Sequence, residues 1–149
     1  MKLKYLGKSS AFHFYSLKDN DSKIRLFDGG VSAGFPSPAD DYMELDLDLH
    51  AHLVKNPSST FCVKVMGESM KEARIHDGDV IIVDRSLDPK NRSIVLAVID
   101  GEFTVKRINM HNNEIYLMPE NDDFNPIKIT SEMSFEIWGI VTFIIHESI

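Results

Sequence analysis

A chain of 149 residues is the size of one domain, and a hydrophobic share of 43% is too high for a disordered polymer and enough to build a core. The net charge of −7 argues against a broad phosphate-binding surface. No apolar run approaches the ~20 residues that span a bilayer, the lysine-bearing N-terminus lacks a signal-peptide core, and the single cysteine, Cys62, excludes an intramolecular disulfide; the expectation is a cytoplasmic protein with no membrane contact.

Charge divides the chain unevenly. Residues 1–33 carry six basic and three acidic side chains, a balance of +3 that leaves −10 for the rest. A basic arm can dock on an acidic body through attractions that salt screens, although a few solvated lysines would give the same count. Within the arm, Ala11-Phe12-His13-Phe14-Tyr15 has the composition to add one strand, but the arm holds too little apolar surface to fold alone. Val31-Ser32-Ala33-Gly34-Phe35 follows, where small residues leave the Ala33–Gly34 peptide bond sterically open. Val31, two positions before Ala33, is an apolar anchor for such a segment, and Ala33 suits a small pocket. The prolines of Phe35-Pro36-Ser37-Pro38 hold the backbone extended, as a peptidase substrate must be, and mark a boundary between an arm of 1–33 and a body of 34–149.

A short helix is predicted over 48–55, with Asp48 as its cap and Asn56-Pro57 as its stop. Strands are predicted over 61–66, 79–84, 93–99, 102–109, 114–118 and 135–146, all rich in Val, Ile and Phe. Asp77-Gly78, Asp100-Gly101 and His111-Asn112-Asn113 punctuate them. Asp100-Gly101 is the strongest hairpin signal, because a two-residue type I′ turn needs positive φ at both positions. It joins the strand ending at Ile99 to the one carrying Lys106. The fold class is therefore mainly β: a curved, mostly antiparallel sheet or small barrel with one short helix and an extended N-terminal arm.

Two residues invite a chemical reading, Ser69 in Gly67-Glu68-Ser69-Met70 and Lys106 in Phe103-Thr104-Val105-Lys106-Arg107. A serine hydroxyl needs a base to take its proton as it attacks, and lysine is a base only when neutral. Burial away from carboxylates disfavours the ammonium form. The turn at Gly67 can aim the backbone N–H groups of Glu68 and Ser69 at a developing oxyanion. Composition alone favours the ordinary alternative, a solvated strand lysine sharing a face with Thr104 and Ile108, and Lys64 is a rival base. His76-Asp77 next to Ser69 reads more simply as a turn than as part of a triad. His50 and His52 lack the further ligands a metal site requires, Cys62 reads as an inert core thiol, and no cofactor motif is present.

The ordered series of motifs resolves the ambiguity. Gly34-Phe35-Pro36-Ser37-Pro38-Ala39-Asp40, Gly67-Glu68-Ser69-Met70, Asp77-Gly78-Asp79, Asp100-Gly101-Glu102-Phe103-Thr104-Val105-Lys106-Arg107, Leu117-Met118-Pro119-Glu120-Asn121 and Trp138-Gly139-Ile140-Val141 occur in an order and spacing that resemble the LexA/UmuD family of self-cleaving Ser-Lys peptidases, and UmuD-type members above all. The resemblance covers roughly residues 31–146. It implies the LexA C-terminal, signal-peptidase-like fold, Ser69 as nucleophile, Lys106 as general base and acid, the Ser69 and Glu68 N–H groups as oxyanion donors, and a cut between Ala33 and Gly34. It also implies a homodimer, stimulation by RecA filaments on single-stranded DNA in the SOS response, and a trimmed form that acts with an error-prone, UmuC-like translesion polymerase subunit. A replication clamp is a further candidate partner. LexA-type repressors carry a helix-turn-helix before the cut; the arm of 1–33, without clear helical periodicity, does not supply one, so direct operator binding is not expected. UmuD-type sites usually have cysteine before the scissile glycine, where this chain has Ala33, and its arm matches the family's arm little. The competing readings are a signal-peptidase-like enzyme, which would need a membrane anchor, and a non-catalytic interaction module or antirepressor on the same fold.

Overall fold

The computed structural model describes residues 1–9, 11–20, 24–28, 43–67, 74–118 and 125–149, with 24–28 and 43–46 described in backbone only. In chain order the elements are β1 (Lys2–Ser9), β2 (Phe12–Lys18), β3 (Ile24–Asp28), β4 (Met43–Leu47), α1 (Leu49–Leu53), a 3-10 turn (Pro57–Ser59), β5 (Thr60–Val65), β6 (Val80–Asp84), β7 (Ile94–Ile99), β8 (Glu102–His111), β9 (Glu114–Met118), β10 (Ile127–Lys128) and β11 (Phe135–Ile145). The predicted body strands all form, with ends close to those expected. Asp48 caps α1 as expected, its Oδ1 accepting from the Ala51 N–H at 2.9 Å, and the helix stops short because the chain turns into the Pro57–Ser59 segment. His50 and His52 lie on this helix, as the predicted span requires.

Among the described residues, nine strands form one antiparallel sheet in the order β1-β2-β5-β6-β11-β7-β8-β9-β10, and β3 pairs with β4 in a separate hairpin. The sheet is open, with β1 and β10 as its edges, but it is strongly curved. From β2 to β8 is five strand steps, roughly 24 Å in a flat sheet. The rings of Phe14 on β2 and Phe103 on β8 nevertheless lie 5.0 Å apart. One face has rolled inward until its two flanks touch. Two-residue turns tighten it: Asp100 and Gly101 have φ of 48° and 86° between the paired Ile99 and Glu102, and Asn112 and Asn113 repeat the device at 50° and 63°.

Strand alternation sorts the core into two layers. The inward face collects Phe12, Val63, Val65, Ile75, Ile81, Val83, Leu96 and Val105, and the other face collects Val95, Ala97, Ile108, Leu117 and Ile140. The arm contributes to the first layer directly. Phe12 is 1% exposed, and β2 runs along β5 with Phe12 opposite Val65 and Ser16 opposite Phe61. The strand expected near residues 11–15 thus exists and completes the sheet, with β1 added outside it.

Buried carboxylates hold the ends of the central strands. Asp84, at the end of β6, accepts from Asn56 Nδ2 at 2.7 Å, Ser59 Oγ at 3.1 Å, and the Ser86 N–H and Oγ at 2.8 and 2.6 Å. Desolvation is the largest single influence on it and favours the neutral acid, but these donors together hold its carboxyl below the usual range. The pairing ties the Pro57–Ser59 turn to the sheet.

Candidate active site

Lys106 lies on β8 directly opposite Val95 of β7. It is half-buried, and its strand face is shared with Thr104 and the fully buried Ile108. Among the described residues no carboxylate pairs with it. The amine thus projects from a strand beside apolar neighbours and, among the described residues, has no anionic partner. Lys64, the rival, lies on β5 between His13 of β2 and Val80 of β6.

Ser69 and Glu68 lie outside the described residues, as do Val31, Ala33 and Gly34. Both flanks of the Ser69 segment are described, and both are anchored. On the entering side, the Met66 N–H donates to the Ala11 carbonyl of the arm at 2.7 Å, and the Gly67 N–H donates to Asp77 Oδ1 at 2.6 Å. Gly67 has φ of 80°, a left-handed conformation that a side chain would strain, which explains a glycine immediately before the Glu68-Ser69 pair. On the leaving side, Ile75 is completely buried in the first core layer. Residues 76–79 then turn back onto β5: the Gly78 N–H donates to the Val65 carbonyl at 2.8 Å and the Val65 N–H to the Asp79 carbonyl at 2.9 Å. The Asp77-Gly78-Asp79 motif therefore braces the chain on either side of residues 68–73.

One group near this brace is not apparent from sequence. Asp79, only 2% exposed, accepts from the His76 N–H through Oδ2 at 2.8 Å, and its Oδ1 lies 2.6 Å from His146 Nδ1. The His76 and His146 rings are 5.3 Å apart. The histidine–carboxylate pair is thus His146–Asp79, joining the segment after β11 to the start of β6, and not His76–Asp77. Its partners are 67 positions apart in the chain, beyond any local motif. Cys62 is wholly buried, and burial pushes its thiol up to about 12, so it is a packing residue as expected.

The pair expected to be cut, Ala33 and Gly34, lies between two described strands in the chain. Residues 29–42 join β3 to β4, whose backbones pair from Ile24 opposite Leu47 to Asp28 opposite Met43. Ala33 and Gly34 thus belong to the connection of a hairpin. No helix among the described residues is long and apolar enough to cross a membrane.

Comparison with known proteins follows the same outline. The family model described as Peptidase S24-like matches residues 25–142. Protein MucA of Salmonella typhimurium is 50% identical over 113 residues, which are 75% of this chain and 77% of that protein. Protein SamA of Salmonella typhimurium strain LT2 is 44% identical over 127 residues, 85% and 88% of the two chains. Protein ImpA of Shigella flexneri is 42% identical over 130 residues, 87% and 88% respectively. A family match over most of the length, and relatives this similar along most of both chains, establish that the chain belongs to the peptidase S24-like family, among its UmuD-type members.

Proposed function

We propose that this protein is a UmuD-type switch of the SOS response that cuts its own Ala33–Gly34 bond with a Ser69/Lys106 dyad. The observation that carries the proposal is the family match over residues 25–142, which spans the scissile pair, the serine and the lysine in one stretch. The half-buried Lys106 on β8, with no carboxylate partner among the described residues, supports it. In the reaction, Ser69 Oγ attacks the Ala33 carbonyl carbon as Lys106 Nζ accepts the hydroxyl proton. The tetrahedral oxyanion takes hydrogen bonds from the Ser69 and Glu68 N–H groups, an effect of about 3 kcal/mol per donor in comparable sites. The C–N bond then breaks, Lys106 protonates the departing Gly34 amine, and water hydrolyses the Ala33 ester. Tethering of substrate to enzyme lets a modest site act on a single bond.

The body, residues 34–149, then acts as a dimer with an error-prone translesion polymerase, and RecA filaments on single-stranded DNA favour the cleavage-competent arrangement. The test is the intact mass of purified protein after incubation at pH 7 and about pH 10, beside Ser69→Ala. Fragments ending at Ala33 and beginning at Gly34, formed faster at high pH and absent from the variant, are the expected result. No cut at either pH, nor on adding RecA, nucleotide and single-stranded DNA, overturns the peptidase and leaves an interaction module.

A further inference from the structure

The position of the cut and the position of the arm's contacts do not coincide. Ala33 and Gly34 fall between β3 and β4 in the chain, so a break there severs no strand pairing among the described residues. Two described seams still join the fragment 1–33 to the body. One is β3 against β4, and the other is β2 against β5. At the second seam the arm also plugs the core, since Phe12 packs among Val63, Val65, Ile81 and Val105 at 1% exposure. The Ala11 carbonyl extends the ladder by one bond, to the Met66 N–H.

The arm covers something else. A cleft of about 400 Å³ is lined by Leu6 and Phe14 from the arm and by Phe61, Arg85, Phe103 and Trp138 from the body. The body side also carries contacts of its own: Arg85 lies over the Trp138 ring at 4.6 Å and donates through Nε to its carbonyl at 3.0 Å, and Phe103 meets Trp138 edge-on at 5.0 Å. Removing β2 would therefore bare an aromatic surface and turn β5, an interior strand of the sheet, into a free edge able to pair with another extended segment.

We propose that the outer edge of β5 and this aromatic cleft form a strand-acceptor site whose resident ligand is the chain's own residues 1–33, held without a covalent bond after cleavage and exchangeable with free copies of the same segment. The cut converts a tethered strand into a dissociable one, and departure of the arm opens the surface. The proposal rests on the self-cleavage reading only for the place of the cut. Its test is accordingly made independent of self-cleavage. A recognition sequence for an unrelated site-specific protease is inserted between Ala33 and Gly34 of the full-length Ser69→Ala chain, which is folded, cut and passed through gel filtration at micromolar concentration. The fragment is expected to elute with the body, and excess labelled peptide 1–33 is expected to replace it under native conditions. Trp138 is the chain's single tryptophan, so its emission reports the cleft: unchanged by the cut, red-shifted only as dilution removes the fragment. Phe12→Ala should speed loss of the fragment on the order of a hundredfold.

Separation of the fragment at the first passage overturns the proposal, and so does a fragment that peptide replaces only when the body unfolds. Should Phe12→Ala prevent folding of the uncut chain, the unsubstituted chain's elution and exchange decide the matter alone.

Discussion

Gly139→Ala probes how tightly the centre of the sheet is closed. Gly139 lies at a bulge of β11, where the register against β7 shifts between Ile137 and Gly139. A Cβ there would meet Val83 Cγ1 at 2.5 Å, the Asp84 carbonyl oxygen at 3.2 Å and Arg85 Cγ at 3.4 Å. Ordinary contact begins at 3.4 Å, so the nearest methyl must retreat by about 1 Å, and Val83 is wholly buried with nowhere to turn. Overpacking of this kind costs about 2 kcal/mol. Urea unfolding followed by far-UV circular dichroism should show a lower midpoint with an unchanged m-value. Val83→Ala removes the obstructing methyl and alone should cost about 2 kcal/mol through lost burial and a small cavity. If the clash is the cause, the double variant loses well short of the summed ~4 kcal/mol, with a coupling of about 1–2 kcal/mol. Additive losses, or a Gly139→Ala midpoint equal to that of the parent, would refute the argument. The same contact explains why glycine follows Trp138 in one of the motifs that carried the family resemblance.

Other expectations follow from single residues. Asp84 has a folded pKa below its unfolded one, so its stabilisation is fully present above the unfolded carboxylate pKa and lost as pH falls through the folded value. Asp84→Ala should cost about 3 kcal/mol at pH 7 and less in acid, read by urea titration at both pH values; a pH-independent difference would count against the hydrogen-bonded anion. Cys62 should resist a disulfide reagent at pH 8 in the native state and react once urea unfolds the chain, whereas rapid native labelling would contradict its burial. Lys106→Ala should abolish self-cleavage at pH 7 while His146→Ala leaves the rate within about threefold, since a merely bracing pair contributes little to the barrier. The reverse outcome would move the general base to the His146–Asp79 pair.

What could be read from the sequence was mostly local. Alternating Val, Ile and Phe located the six body strands, Asp100-Gly101 located a turn whose φ angles are both positive, and Asp48 located a helix start. Lys106 falls on the strand expected and beside the residues expected, because alternation along a strand decides which neighbours share a face. Features built from distant partners were less visible. β1 is mostly exposed and polar, and only its pairing with β2 makes it a strand. β3 and β4 alternate as Ile24-Arg25-Leu26 and Met43-Glu44-Leu45, but the long connection between Asp28 and Met43 hides the hairpin. Phe12 has the composition of any strand residue, and its core position follows from β5, which comes only after the β3–β4 hairpin and α1. His146–Asp79 is hidden for the same reason. The Ser69, Glu68, Val31, Ala33 and Gly34 assignments lie outside the described residues and stand on the sequence reading and the family resemblance.

The seam between β2 and β5 also bears on how the protein is made. The arm is synthesised first, yet Val65, the residue opposite Phe12, is added only after β3, β4 and α1. At ~5–20 residues per second, the β1–β2 hairpin waits roughly 3–10 s for its seat. An isolated two-stranded hairpin is marginal in water, so for that interval Phe12 and Phe14 face solvent on a nascent chain. Ribosomes following one another on a message bring such hairpins close together. Whatever guards a growing β-protein against its neighbours must therefore act on this one before its own body exists.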